Sequence, residues 1–228
     1  MKRKLSKKMI VSIGILTIAT IINACNSTEI EERCFPMLVV VDYDDDWKQV
    51  LYCDDFPRTN NTNTESKGTS TEEKKDKLSN SLQSGKTFAE SKKAFEARLN
   101  KIPDYNHLKM ILLDEEFVQQ QTLYNDMLDT LVTTEEFPRN TYVCITDDVG
   151  DFLELADGLE DDLGTYLEQY LEHHEEKKDR LLTLGDLLDE KANQDMIVYV
   201  PYLEVENNYI EWGGYYAIGE NQNPVNMK

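Results

Sequence analysis

The sequence has 228 residues and carries 24 Lys and Arg against 44 Asp and Glu, a formal charge of −20. An apolar share of 40% is enough for a core, which excludes global disorder, and four scattered cysteines exclude zinc-ribbon and disulfide-dense classes. The acidity excludes nucleic acid as a partner, because a phosphate backbone is held by clustered Lys and Arg.

Residues 1–24 hold five basic residues and no acid, so the remaining 204 carry −25. A basic start followed by the apolar run Met9–Ile22 has the length of a signal-peptide core, too short for the roughly 20 residues of a membrane span. The run ends in Ile22-Asn23-Ala24-Cys25, which resembles a bacterial lipobox: an aliphatic residue, a small one just before the cysteine, then the thiol. Residues 1–24 are therefore expected to be a lipoprotein signal peptide, with Cys25 the lipidation site and first mature residue. Two acyl chains of the palmitate type give stable anchoring where one is marginal. The plainer alternatives are an uncleaved signal anchor or an ordinary secretory signal. All three place the rest of the chain outside the cytoplasmic membrane.

Residues 25–35 read as a tether. Pro36–Tyr43 (PMLVVVDY) is β-branched and Trp47–Phe56 alternates, so the two predict a hairpin. Residues 57–83 are dominated by Thr, Asn, Ser, Lys and Glu, with only Leu78 and Leu82 aliphatic and no aromatic, and are expected to be a disordered polar insertion. Thr87 and Glu90 form a capping box opening a helix with Phe88, Phe95 and Leu99 on one face, stopped by Pro103. His107–Leu113 predicts a strand, and Asp114-Glu115-Glu116 a helix N-terminus. Leu123, Met127 and Leu131 mark an amphipathic helix over Gln120–Val132, and Thr141–Thr146 a further strand.

Next comes an acidic helical region with Leu159, Leu163, Leu167 and Tyr170 in one stripe. A helix at Thr183–Lys191 follows, with Thr183 and Asp186 in capping-box positions. Met196–Glu204 and Tyr209–Ile218 flank Asn207-Asn208 as a closing hairpin, and 221–228 is a tail. The order predicts an α/β (α+β) single domain over 36–220, a mixed sheet with packed helices in two or three layers.

No catalytic chemistry emerges. His173 and His174 point about 100° apart on a helix and do not make a zincin pair. Asp42, Asp44, Asp45 and Asp46 lack the glycine and bidentate glutamate of a calcium loop. No nucleophile–base pair, metal site or cofactor motif is present, so a non-enzymatic role is expected. With Cys25 lipidated, Cys34, Cys53 and Cys144 remain. Cys34 and Cys53 lie near the open ends of the first hairpin and are placed to pair outside the cell. The favoured alternative is that these cysteines are small buried apolar residues. The late aromatics are read first as cross-strand packing, with Trp212, Tyr215 and Tyr216 a candidate partner-binding face.

Three stretches together resemble the Ger(x)C family, the lipoprotein C subunits of spore nutrient-germinant receptors. They are FPMLVVVDYDDDWKQVLYC, then SGKTFAESKKAFEARLNKIPDYNHLKMILLDEEFVQQ continuing through LYNDMLDTLVTTEEFPRNTYVCITD, and YVPYLEVENNYIEWGGYYAIGENQNP. The resemblance spans about 36–220 and implies a stand-alone N-terminal half, since family members continue into a C-terminal domain that would begin where this sequence ends at Lys228. It further implies a non-enzymatic receptor subunit or accessory on the outer face of the cytoplasmic or spore inner membrane. Its partners would be lipid, through acylated Cys25, and integral-membrane receptor subunits. A free-standing extracytoplasmic ligand-binding lipoprotein is the alternative. Limited proteolysis should nick the chain within 57–83 and leave a surviving core; digestion spread evenly along the chain would contradict the insertion.

Overall fold

A computed structural model describes residues 32–44, 48–53, 83–99, 101–134, 136–156, 158–159, 162–173, 181–192, 197–219 and 225–227. For 44, 48–53, 192 and 225–227 only the backbone is described. The chain divides into two units, Met1–Arg33 and Cys34–Lys228, and the fold described here is that of the second. Cys25 and most of the predicted insertion, through residue 82, lie outside the described residues.

The middle of this fold is set by strands that are apolar on both sides. β1 (Leu38–Asp44) and β4 (Met110–Asp114) bury Leu38 through Val41 and Met110 through Leu113 without a break. Such runs belong to a parallel sheet covered on both faces. β1 pairs parallel with β4, β4 with β5 (Tyr142–Thr146), and β5 with β6 (Val198–Glu206).

Antiparallel strands extend both ends of this ribbon. Beyond β1 lie β2 (Lys48–Cys53) and β3 (Gln83–Gly85); beyond β6 lie β7 (Tyr209–Ile218) and β8 (Val225–Met227). The eight-stranded order is β8-β7-β6-β5-β4-β1-β2-β3. The expected hairpins are both present, and the strands continue at both ends of the predicted segments: Gln83 is paired, and Val225–Met227 adds a strand within the expected tail.

Side-chain alternation sorts the core into two layers. Val39, Val41, Ile111, Leu113, Val143 and Ile145 face α1 (Phe88–Glu96), α2 (Glu115–Gln119), α3 (Gln121–Thr134) and α6 (Leu184–Ala192). Leu38, Val40, Met110, Leu112 and Cys144 face α4 (Val149–Ala156) and α5 (Leu163–His173). The result is the three-layer form of the expected α/β arrangement.

Helix starts follow their caps. Thr87 Oγ1 accepts from Glu90 N at 3.2 Å, while the Glu90 carboxylate accepts from Lys86 N instead of closing the box on Thr87. Thr183 and Asp186 form the full reciprocal box, Asp186 N donating to Thr183 Oγ1 at 3.2 Å and Thr183 N to Asp186 Oδ2 at 3.0 Å.

Three expectations are corrected. α1 ends at Glu96, well before Pro103, as the chain tightens into i→i−3 bonds from Arg98 N to the Phe95 carbonyl and from Leu99 N to the Glu96 carbonyl. His107 belongs to a 3-10 turn (Tyr105–His107), opened by Asp104 as cap, so the strand begins at Met110. The acidic region is two helices, α4 and α5, with Leu159 between them, Asp162 Oδ1 accepting from Thr165 N at 2.7 Å to open the second.

α5 reaches the sheet through a glycine. A Cβ at Gly164 would lie 2.7 Å from the Met37 carbonyl oxygen, which also accepts from Lys109 N and Met110 N. Gly164→Ala should therefore destabilise the domain by about 1–3 kcal/mol in chemical denaturation, because overpacking against backbone cannot relax by a rotamer change. An unchanged midpoint would show that α5 is not seated this closely.

Candidate functional site

The parallel strands β1, β4 and β5 end on one edge of the sheet, and carboxylates collect there. Asp42 lies near the end of β1, Asp114 ends β4, and Asp147 and Asp148 follow β5. The carboxyl ends of parallel strands are where open α/β sheets hold their ligands. Asp114 is the buried member. Its Oδ1 caps α2 by accepting from Phe117 N at 2.9 Å, as the acidic run predicted. Burial pushes its carboxyl up to about 7; the Phe117 N–H opposes this, and the charges of Asp42 and Glu116 add to it.

The rim continues to β6 and β7. The Tyr202 hydroxyl donates to Glu115 Oε2 at 3.2 Å, and the Tyr202 ring stacks on Tyr216 with centroids 6.2 Å apart. Burial and the charges of Asp147 and Glu115 hold the Tyr202 hydroxyl protonated far above its ordinary value.

The β6–β7 hairpin turns at Asn207 (φ 52°) and Asn208 (φ 63°), the two left-handed residues that a tight hairpin requires. Its register then slips. Leu203 pairs with Trp212 and Tyr202 with Gly214, leaving Gly213 as an extra residue beside Gly214 at φ 112°. A bulge of one residue reverses which face each side chain meets. Ile210 and Trp212 pack with the second layer, while Tyr216 and Ile218 pack with the first.

The three aromatics named from sequence are thus divided. Trp212 and Tyr215 are half-buried and meet edge to face at 5.3 Å. Tyr216 is only 1% exposed and sits in the opposite core layer. The Gly213-Gly214 pair inside a strand was the available signal for this division.

Among the other sequence candidates, Cys34 and Cys144 are buried, and burial raises the Cys144 thiol far above its usual range. The side chain of Cys53 and all of His174 lie outside the described residues. His173 sits exposed at the end of α5, its Nδ1 2.6 Å from the Gln169 carbonyl oxygen, and His107 meets Phe35 edge-on at 5.1 Å. Among the described residues no group of three His, Cys, Asp or Glu is placed to hold a metal ion. Nor is any described helix long and apolar enough to cross a membrane.

The family model for the spore germination protein N-terminal domain matches residues 26–205. The chain belongs to that family. Comparison with curated proteins and with solved structures found no match. The germination domain therefore covers both core layers and β6, and the three-layer mixed sheet is the fold on which this family member carries its acidic rim.

The rim gives the germination domain a pH dependence of definite sign. A carboxyl raised from 3.8 to about 7 on folding favours the folded state while protonated, so its contribution is complete below 3.8 and is lost as pH rises toward 7. Asp114→Asn keeps a capping side chain and removes the titration. The stability of the wild type should fall relative to Asp114→Asn between those limits, by on the order of 4 kcal/mol, in denaturant melts across pH. Parallel pH profiles for the two proteins would refute the ionisation.

Proposed function

We propose that the chain is a non-enzymatic extracytoplasmic lipoprotein serving as a subunit or accessory of a spore nutrient-germinant receptor. The family match carries this reading, and it opens at residue 26, the position directly after Cys25 in the lipobox-like sequence. An acylated Cys25 would hold the domain on the outer face of the cytoplasmic or spore inner membrane, with residues 26–33 preceding the folded unit that starts at Cys34.

Anchoring changes what the domain must do to assemble. A domain confined to the membrane surface meets integral-membrane partners at high effective concentration, so modest contacts suffice. The half-buried Trp212–Tyr215 pair supplies contacts of that kind, since Trp and Tyr combine apolar area with a polar tip.

The test is fractionation and affinity capture from sporulating cells. The wild-type chain should stay in the membrane fraction and retain integral-membrane receptor subunits after detergent extraction, and its deletion should slow germination on at least one nutrient. Cys25→Ser should lose membrane retention. Equal membrane retention of the Cys25→Ser chain would remove the lipid anchor from this reading, and normal germination on every nutrient without a co-purifying membrane protein would remove the receptor role.

A further inference from the structure

Exposed apolar side chains are not spread evenly over the fold. Among the described residues the large ones are Ile102, Val132, Ile197, Tyr199 and Tyr209, between 46% and 67% exposed. Four of these five belong to one end. β1, β4, β5 and β6 run parallel, so their first residues share an edge opposite the acidic rim. Ile197 and Tyr199 stand at the start of β6, and Val132 lies in the last turn of α3, which leads back from the rim toward the start of β5. Ile102 lies two residues before Asp104, whose N–H donates to the Cys34 carbonyl at 2.8 Å. The Met37 carbonyl then accepts from Lys109 N and Met110 N at the start of β4. Tyr209, at the start of the antiparallel β7, belongs to the rim end.

A single exposed aliphatic group needs no explanation, but four of five on the edge where Cys34 enters the unit mark a surface. β1 and β6 stand three strand spacings apart in the sheet, about 14 Å, a breadth that suits a flat partner better than a groove. Charge also separates the two ends. Arg98 and Lys101 are exposed close to Ile102 in the chain, while Lys109 and Arg139 are bridged to Glu168 and Asp189. Asp104 and Glu172 lie at this end as well, so its charge is mixed, whereas the rim is acidic through Asp42, Asp114, Asp147 and Asp148. The covalent chain selects the occupant. Eight residues separate Cys25 from Cys34, so even full extension keeps Cys34 within about 30 Å of an acylated Cys25.

We propose that the edge formed by the first residues of the parallel strands rests on the lipid bilayer, with Ile102 and Ile197 entering the headgroup layer. Amphipathic surfaces bind at that depth by burying apolar area. The acidic rim then faces away from the membrane, where anionic headgroups do not oppose it. The inference rests on the lipid anchor proposed above and adds which surface of the domain meets the membrane.

The experiment uses the full acylated chain in vesicles of phosphatidylglycerol and phosphatidylethanolamine, and in membranes of sporulating cells. A photoreactive benzoylphenylalanine replaces Ile102, Ile197 or Tyr209 in turn; all three side chains are exposed, so the melting temperature should not change. Irradiation should give lipid adducts at positions 102 and 197 at least about fivefold above those at position 209. Arg98→Glu combined with Lys101→Glu should lower the adducts at 102 in these vesicles and leave them unchanged in phosphatidylcholine vesicles. Equal adducts at all three positions, or none at 102 and 197 on an acylated chain, would overturn this edge and leave the anchor intact. Adducts to a protein in place of lipid at 102 and 197 in cell membranes would overturn it in favour of a protein partner. A chain recovered from cells without an acyl group on Cys25 would remove the anchor and this inference with it.

Discussion

A ribbon of parallel strands with apolar side chains on both faces dictates the arrangement of everything around it. Leu38 to Val41 and Met110 to Leu113 contribute side chains alternately to two separate core layers. Each fully buried aliphatic side chain is worth about 1.5–3 kcal/mol relative to exposure, so leaving either face open is prohibitive. The chain answers by placing α1, α2, α3 and α6 over one face and α4 with α5 over the other. Polar ties fix those helices in position: Phe88 N donates to Asp126 Oδ2 between α1 and α3, and Arg139 Nη2 reaches both the Gly185 carbonyl and Asp189 on α6. Lys92 is held between Glu96 and Glu136, over the ring of Tyr105.

Because the strands run parallel, their carboxyl ends share one edge, and the acidic rim is a consequence of topology. Asp42, Asp114 and Asp147 are far apart in sequence and are brought together only when β1, β4 and β5 pair in parallel register. Burial first, and then the charge of Asp42 that this convergence brings near, raises the Asp114 carboxyl.

What was legible in the sequence follows the range of the interactions involved. Capping at Thr87 and Thr183, the Asn207-Asn208 turn and the apolar stripe Leu123, Met127, Leu131 are set by neighbours within a few residues, and the structure places them as read. The order of strands and helices along the chain announced a mixed α/β sheet. The early end of α1 and the 3-10 turn at His107 depend on hydrogen bonds that compete locally with the apolar pattern. The division of Trp212 from Tyr216 comes from a single extra residue in the ladder, which periodicity alone assigns to the wrong face. The approach of Gly164 to Met37 exists only after distant segments pack. The family resemblance was read from the order and spacing of hydrophobic segments, and the family model matches residues 26–205.

The charge layout connects fold and proposed role. Five basic residues precede the lipobox-like sequence, and acidic residues dominate the folded unit, most completely along α4, α5 and the β6–β7 hairpin. In the proposed role an acylated Cys25 would hold this acidic unit at a membrane surface. The most direct measurement is the mass of the N-terminal peptide of the chain recovered from membranes. A peptide that begins at Cys25 and carries the added mass of a diacylglyceryl group is the expected result, and an unmodified peptide that begins at Met1 would contradict it.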